Sequence, residues 1–170
     1  MKTLSLLRHA DSDWGEKGSK DIDRVLSPLG QEQCLQVAAY LKSQEHTFDR
    51  VLCSSAKRAS ETCERVDDAL KAKWAVTYDE ALYLCNSKRL IEEIQQVNDD
   101  CEHLLVIGHN PTFQESCWLL SGRSDSGLMT EIERDFPPAT LTTHHFLSDH
   151  WADVGKGSGL LSSVFKPTNA

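Results

Sequence analysis

No apolar run in this chain approaches the ~20 residues that a membrane-spanning helix requires, so no membrane association is expected. The opening residues, Met1-Lys2-Thr3-Leu4, carry neither a long apolar segment nor a small-residue cleavage site. Nothing there predicts secretion, and a cytoplasmic location is the expectation. Positive charge is in short supply: 18 Lys and Arg face 26 Asp and Glu, a formal net charge of -8. A nucleic-acid binder leaves a basic footprint, so that class is set aside. A small anionic substrate stays open, because a pocket can be cationic on an acidic protein. Metal and nucleotide patterns are missing as well. None of the 7 histidines forms His-x-x-x-His with a partner glutamate, and no Gly-x-x-x-x-Gly-Lys-Ser/Thr run occurs. No metal and no other cofactor is therefore expected. The 6 cysteines, at positions 34, 53, 63, 85, 101 and 117, include no Cys-x-x-Cys pair. They read as small buried hydrophobes in a reducing compartment rather than a disulfide framework.

What is there is an ordinary globular chain. Its 170 residues are 39% hydrophobic and 26% charged. That is enough to bury a core, and one domain spanning 1–170 is expected. The chain is organised around Leu4-Ser5-Leu6-Leu7-Arg8-His9-Ala10, a short apolar run that ends in two residues a core does not favour. Residues 2–8 predict a buried strand. A polar loop follows over 10–26, long for its place and so a candidate pocket wall.

Ser27 and Pro28 predict a helix start, with an apolar stripe of Leu29, Cys34, Val37, Ala38 and Leu41 running to about Gln44. A strand is expected over 48–53 and a helix from Ala56 to Lys71. Strand 75–78, a helix from a Ser87 cap to about Asn98, and strand 103–108 come next. A helix over 111–120 is followed by a Gly- and Ser-rich loop at 121–127 and an ambiguous stretch at 128–138. Residues 140–147 predict a strand, 148–159 turns, 160–165 a last edge strand and 166–170 a loose tail. The recurring strand–helix order predicts an α/β fold, a three-layer α/β/α sandwich around a mainly parallel sheet.

Such sheets bind ligands at the carboxyl ends of their strands. Four residues fall there: Arg8 and His9 after the first strand, Arg58 at the head of the second helix, and His109 after the strand at 103–108. Two guanidinium groups suit a phosphate, since each can donate paired hydrogen bonds to its oxygens. A neutral His9 imidazole can attack phosphorus and hold the phosphoryl group, provided its other ring nitrogen is held by a backbone carbonyl. His109 can donate to the equatorial oxygens. Arg58 opposes its helix dipole, a cost that a shared bound anion would offset. His144 and His145 are neighbours on a strand, so at most one faces inward.

Four segments carry a resemblance to a known family. They are Leu7-Arg8-His9-Ala10, Arg24-Val25-Leu26-Ser27-Pro28-Leu29-Gly30, Ser54-Ser55-Ala56-Lys57-Arg58-Ala59-Ser60-Glu61-Thr62 and Val106-Ile107-Gly108-His109-Asn110-Pro111. In this order and spacing the chain resembles the histidine phosphatase superfamily, with its phosphoglycerate-mutase-like fold, and within it the small bacterial phosphohistidine phosphatases. The resemblance implies that His9 carries the phosphoryl group and that Arg8, Arg58 and His109 complete the phosphate pocket.

There are departures. Ala10 replaces the commoner glycine, and Gly15 stands where larger members have an asparagine. Those members also place a carboxylic acid just beyond the third strand, where this chain has Leu82-Tyr83-Leu84. Glu80 is the candidate proton donor, with Asp79, Asp11 and Asp13 as other carboxylates in range. A missing acid suits a leaving group that departs easily, such as imidazole, whereas an alkoxide gains ~10²–10⁴-fold from acid help. The expected activity is a metal-independent phosphatase acting on phosphohistidine in a protein, working as a monomer. The alternatives are a small-molecule phosphomonoesterase acting on a sugar or nucleotide phosphate, a sugar-phosphate mutase, and a non-catalytic phosphate-binding module.

Overall fold

The computed structural model describes residues 1–168. Its centre is β1 (Lys2–Arg8), flanked by β4 (His103–Gly108) and β6 (Leu141–Phe146). Strands β2 (Arg50–Ser54) and β3 (Val76–Asp79) extend the sheet on the β4 side. On the other side lie β7 (Gly159–Phe165) and β5 (Ser121–Ser124). The order is β3-β2-β4-β1-β6-β7-β5. Only β6 runs against the rest, so the sheet is mainly parallel.

Alternation along the central strands builds two cores. Leu4 and Leu6 of β1, with Leu104 and Val106 of β4, face α3 (Ser87–Gln95), α4 (Thr112–Leu120) and α5 (Leu128–Arg134). Leu7, Leu105 and Ile107 face α1 (Pro28–Ser43) and α2 (Lys57–Leu70). This is the three-layer sandwich. The chain leaves β1 for α1 on one face and leaves the adjacent β4 for α4 on the other. That divergence opens a crevice at the strand ends, where open α/β sheets take ligands.

Several local expectations change. Leu29 is 39% exposed, and Gly30 and Gln33 take the inward positions with Cys34, Val37 and Leu41. Helix α3 stops at Gln95, and its cap is Asn86, whose side chain accepts from the Arg89 N–H at 2.9 Å. Residues 121–124, expected as loop, pair with β7 and form the sheet edge, so β7 lies inside the sheet. The ambiguous 128–138 stretch contains α5. The 166–170 tail is anchored where it is described: Lys166 Nζ donates to Glu131 O at 2.7 Å and Thr168 N–H donates to Gln36 Oε1 at 2.8 Å. Positions 169 and 170 lie outside the described residues. All 6 cysteines are free, and all but Cys85 are buried.

Candidate active site

Backbone pairing fixes the centre of the site. His9 follows β1, donates its N–H to Gly108 O at 2.9 Å and accepts from the Ala139 N–H at 3.1 Å. Its ring Nδ1 lies 2.8 Å from Ala10 O. A carbonyl can only accept, so Nδ1 carries the proton and Nε2 keeps its lone pair. Burial above all, with the charges of His109, Arg58 and Arg8, lowers the His9 pKa to about 3 against the pull of the Ala10 carbonyl. The imidazole is therefore neutral at ordinary pH and nucleophilic at Nε2.

The other three strand-end residues surround it. Arg58 donates from Nε to His9 Nε2 at 3.3 Å. The His109 ring lies 5.2 Å from the His9 ring, centroid to centroid. Burial, then Arg58, lowers the His109 pKa to about 4. Arg8 donates from Nη1 to Phe136 O at 2.6 Å. Its own Nε and His109 Nδ1 are buried with no partner. Such groups cost on the order of 1–3 kcal/mol each when left unmade. Arg8, His9, Arg58 and His109 line one cavity of about 310 Å³, together with Asp11, Ser12, Trp14, Arg24, Asn110 and Pro138. Its cationic wall suits a tetrahedral oxyanion. A larger hollow of about 500 Å³ beside Trp118 shares none of these groups.

Three positions to which the sequence assigns no role in the site shape it. Ser54, at the end of β2, places Oγ 2.8 Å from His109 Nε2 and accepts from the Ala56 N–H at 3.2 Å. With that donor already in place, the hydroxyl proton is best satisfied on His109 Nε2. His109 then carries its ring proton on Nδ1, the unpartnered atom. Asp21, in a 3₁₀ turn of the first loop, accepts from Arg58 at its backbone oxygen (2.9 Å) and at Oδ2 (3.1 Å). The helix-dipole cost of Arg58 is thus offset by a carboxylate of the chain itself. Tyr83 donates its hydroxyl to Asp21 Oδ2, and its ring meets the His109 ring edge-on, with 5.6 Å between centroids. The Tyr83 bond, then Arg24 and Arg58, hold the Asp21 pKa down to about 2.

The candidate proton donor Glu80 is not brought to this cavity. It begins a 3₁₀ turn after β3 and is exposed. Asp79 spends its carboxylate on the Ala81 N–H. Asp11 is the one carboxylate residue in the lining, and it accepts from the Ser27 hydroxyl. Among the described residues no group of three or more His, Cys, Asp or Glu is placed to hold a metal ion. No helix there is long and apolar enough to cross a membrane.

Residues 4–83 match the model of the histidine phosphatase superfamily, branch 1. The uncharacterized protein Rv1276c of Mycobacterium tuberculosis is 32% identical over 163 residues, covering 95% of this chain and 99% of that one. A structure provisionally named phosphohistidine phosphatase SixA, from Nakamurella multipartitia, superposes with a TM-score of 0.85 at 26% identity. That match covers 98% of this chain and 96% of the other. The protein histidine phosphatase SixA complexed with tungstate gives a TM-score of 0.78 at 22% identity over 98% of both chains, a likeness of fold. The fold is phosphoglycerate-mutase-like, and with a family match across the segment that holds His9 and Arg58, the chain belongs to the histidine phosphatase superfamily.

Proposed function

We propose that this chain is a metal-independent phosphatase that takes a phosphoryl group onto His9 from phosphohistidine in a protein. The observation that carries the reading is the pair of buried, unpartnered donors, Arg8 Nε and His109 Nδ1, on two residues that line the cavity of a neutral His9 whose Nδ1 is tied to Ala10 O. A phosphoryl group bound beside Nε2 is the partner we assign to both donors. In the first step the Nε2 lone pair forms a bond to phosphorus. The bond from phosphorus to the substrate imidazole breaks, and that imidazole takes a proton from water. In the second step a water oxygen attacks phosphorus and the His9–phosphorus bond breaks. Inorganic phosphate leaves, the water proton passes to solvent, and Nε2 regains its lone pair. Charge on the equatorial oxygens is met by Arg8, Arg58 and His109, so no step calls for a metal.

The absence of Glu80 from the cavity favours an easily departing group. A second reading, a small-molecule phosphomonoesterase, is favoured by Asp11, the one carboxylate positioned to protonate an alkoxide. One comparison separates them: turnover of a protein phosphorylated on histidine against turnover of sugar and nucleotide monoesters, with chelator present, for the wild type and Asp11→Asn. The proposal expects preference for the phosphohistidine protein, no loss with chelator, and little effect of Asp11→Asn. Preference for a monoester together with a ~10²-fold loss in the variant would favour the second reading.

A further inference from the structure

Trp14 is 85% exposed, the most exposed large hydrophobic side chain among the described residues, yet it lines the same cavity as His9. Scattered exposed apolar residues need no explanation. This one is braced. The guanidinium carbon of Arg24 lies 4.4 Å from the indole centroid. Arg24 is itself pinned by three hydrogen bonds, from Nε to Asp13 O (2.9 Å), from Nη1 to Asp21 Oδ1 (3.1 Å) and from Nη2 to Ser12 Oγ (2.9 Å). The strip beneath is tied down by the Asp13 N–H bond to Val25 O and the Ser12–Leu26 bridge. An arginine stacked on indole adds cation–π attraction and flat contact. Arg24 therefore holds one indole face, while the side chain as a whole stays 85% exposed and so has a face to offer.

In-line transfer decides what that free face meets. The leaving atom must sit opposite His9 Nε2 across phosphorus, in line with the forming bond. Trp14 is the large apolar surface in that lining. We propose that Trp14, braced by Arg24, is a stacking platform for the substrate's leaving group, and that it selects a flat heteroaromatic ring: the imidazole of a protein phosphohistidine. A flat ring covers the indole face, whereas an alkyl or sugar alcohol offers less planar contact. The platform rests on the phosphatase reading and assigns the residue that would select its substrate's leaving group. Its outward position also leaves room for the polypeptide that bears the ring.

The test uses wild type, Trp14→Ala, Trp14→Phe and, as a control away from the cavity, Trp118→Ala. Each is assayed with a protein chemically phosphorylated on histidine, with p-nitrophenyl phosphate and with glycerol 2-phosphate. Trp14→Ala is expected to lower the ratio of kcat/KM for the two ring-bearing substrates over glycerol 2-phosphate by about five- to tenfold, mainly through KM. Trp14→Phe should keep most of that ratio, and Trp118→Ala all of it. An unchanged ratio in Trp14→Ala, or an equal ratio loss in Trp118→Ala, would overturn the platform. If Trp14→Ala does not fold, a ratio that collapses in Trp14→Phe overturns it instead, and a retained ratio supports it. A wild type inactive on the phosphohistidine protein would overturn the imidazole assignment and the proposed substrate, while the p-nitrophenyl phosphate ratio still decides whether Trp14 stacks a ring.

Discussion

His109 works as a donor only if its proton sits on the right nitrogen. Ser54 is fully buried and already accepts a backbone N–H, so its own proton goes to His109 Nε2 and leaves Nδ1–H for the cavity. Replacing Ser54 with alanine removes that preference without touching the cationic groups. The Ser54→Ala variant should lose roughly tenfold or more in kcat, because one transition-state donor is lost for part of the population. Nitrogen chemical shifts of the His109 ring should move from the Nδ1–H pattern toward a mixture. A variant that keeps both its rate and its tautomer would show that Ser54 only packs. His9 and His109 stand out in the sequence because each ends an apolar strand, a signal visible in one dimension. Ser54, Asp21 and Tyr83 carry no such signal. Each acts through a partner 37 or more positions away, a pairing that only the folded sheet creates. Trp14 carried no periodic signal, and what sets it apart is its brace on Arg24.

The first loop is an element without regular structure that nonetheless holds position, and Gly30 is one reason. A Cβ at Gly30 would stand 2.0 Å from Asp11 O, so α1 can pack this closely on the loop only without a side chain there. Asp11 N–H is also held by Gln33 of the same helix at 2.8 Å. Gly30→Ala should therefore cost about 1–3 kcal/mol and push the Asp11 backbone toward the cavity. Both a lower urea midpoint and a lower kcat/KM are expected. Gly155→Ala, where an added Cβ meets nothing within 4 Å, is the matched control and should be near neutral. A near-neutral Gly30→Ala would contradict the close packing. Elements were legible where burial is strong and local. The run at 103–108 is apolar enough to be β4 in any setting. Ser121–Ser124 has no β-branched or aromatic residue, and it becomes β5 through its pairing with β7, a contact between distant segments. Its neighbour β7 read as an edge for the same reason.

Across the whole molecule, three buried histidines share one thermodynamic consequence. Burial lowers the pKa of His9 to about 3 and those of His109 and His144 to about 4. In the unfolded chain each returns to about 6.5. Between those values the unfolded state binds more protons, so stability rises with pH there. The contribution is fully present above about pH 6.5 and is lost as pH falls toward 4. Each group adds a slope of up to about 1.4 kcal/mol per pH unit. His150 is raised by Asp99 and acts in the opposite sense, but it is exposed and so a weak counterweight. Urea midpoints should fall clearly between pH 7 and pH 5. A flat profile over that range would contradict neutral burial of these rings. The layered architecture and the clustering of Arg8, His9, Arg58 and His109 at one sheet end were both legible in the strand–helix rhythm. The place of Glu80 was not, since a shift of a few residues along a turn decides whether a side chain reaches the crevice or solvent.

The most direct measurement is to react the protein with a radiolabelled phosphoryl donor, quench within milliseconds to seconds, and map the label. An acid-labile, alkali-stable phosphate is expected on His9 at Nε2, absent from His9→Ala, which should be folded and inactive. Label on another residue, or full turnover by His9→Ala, would contradict it.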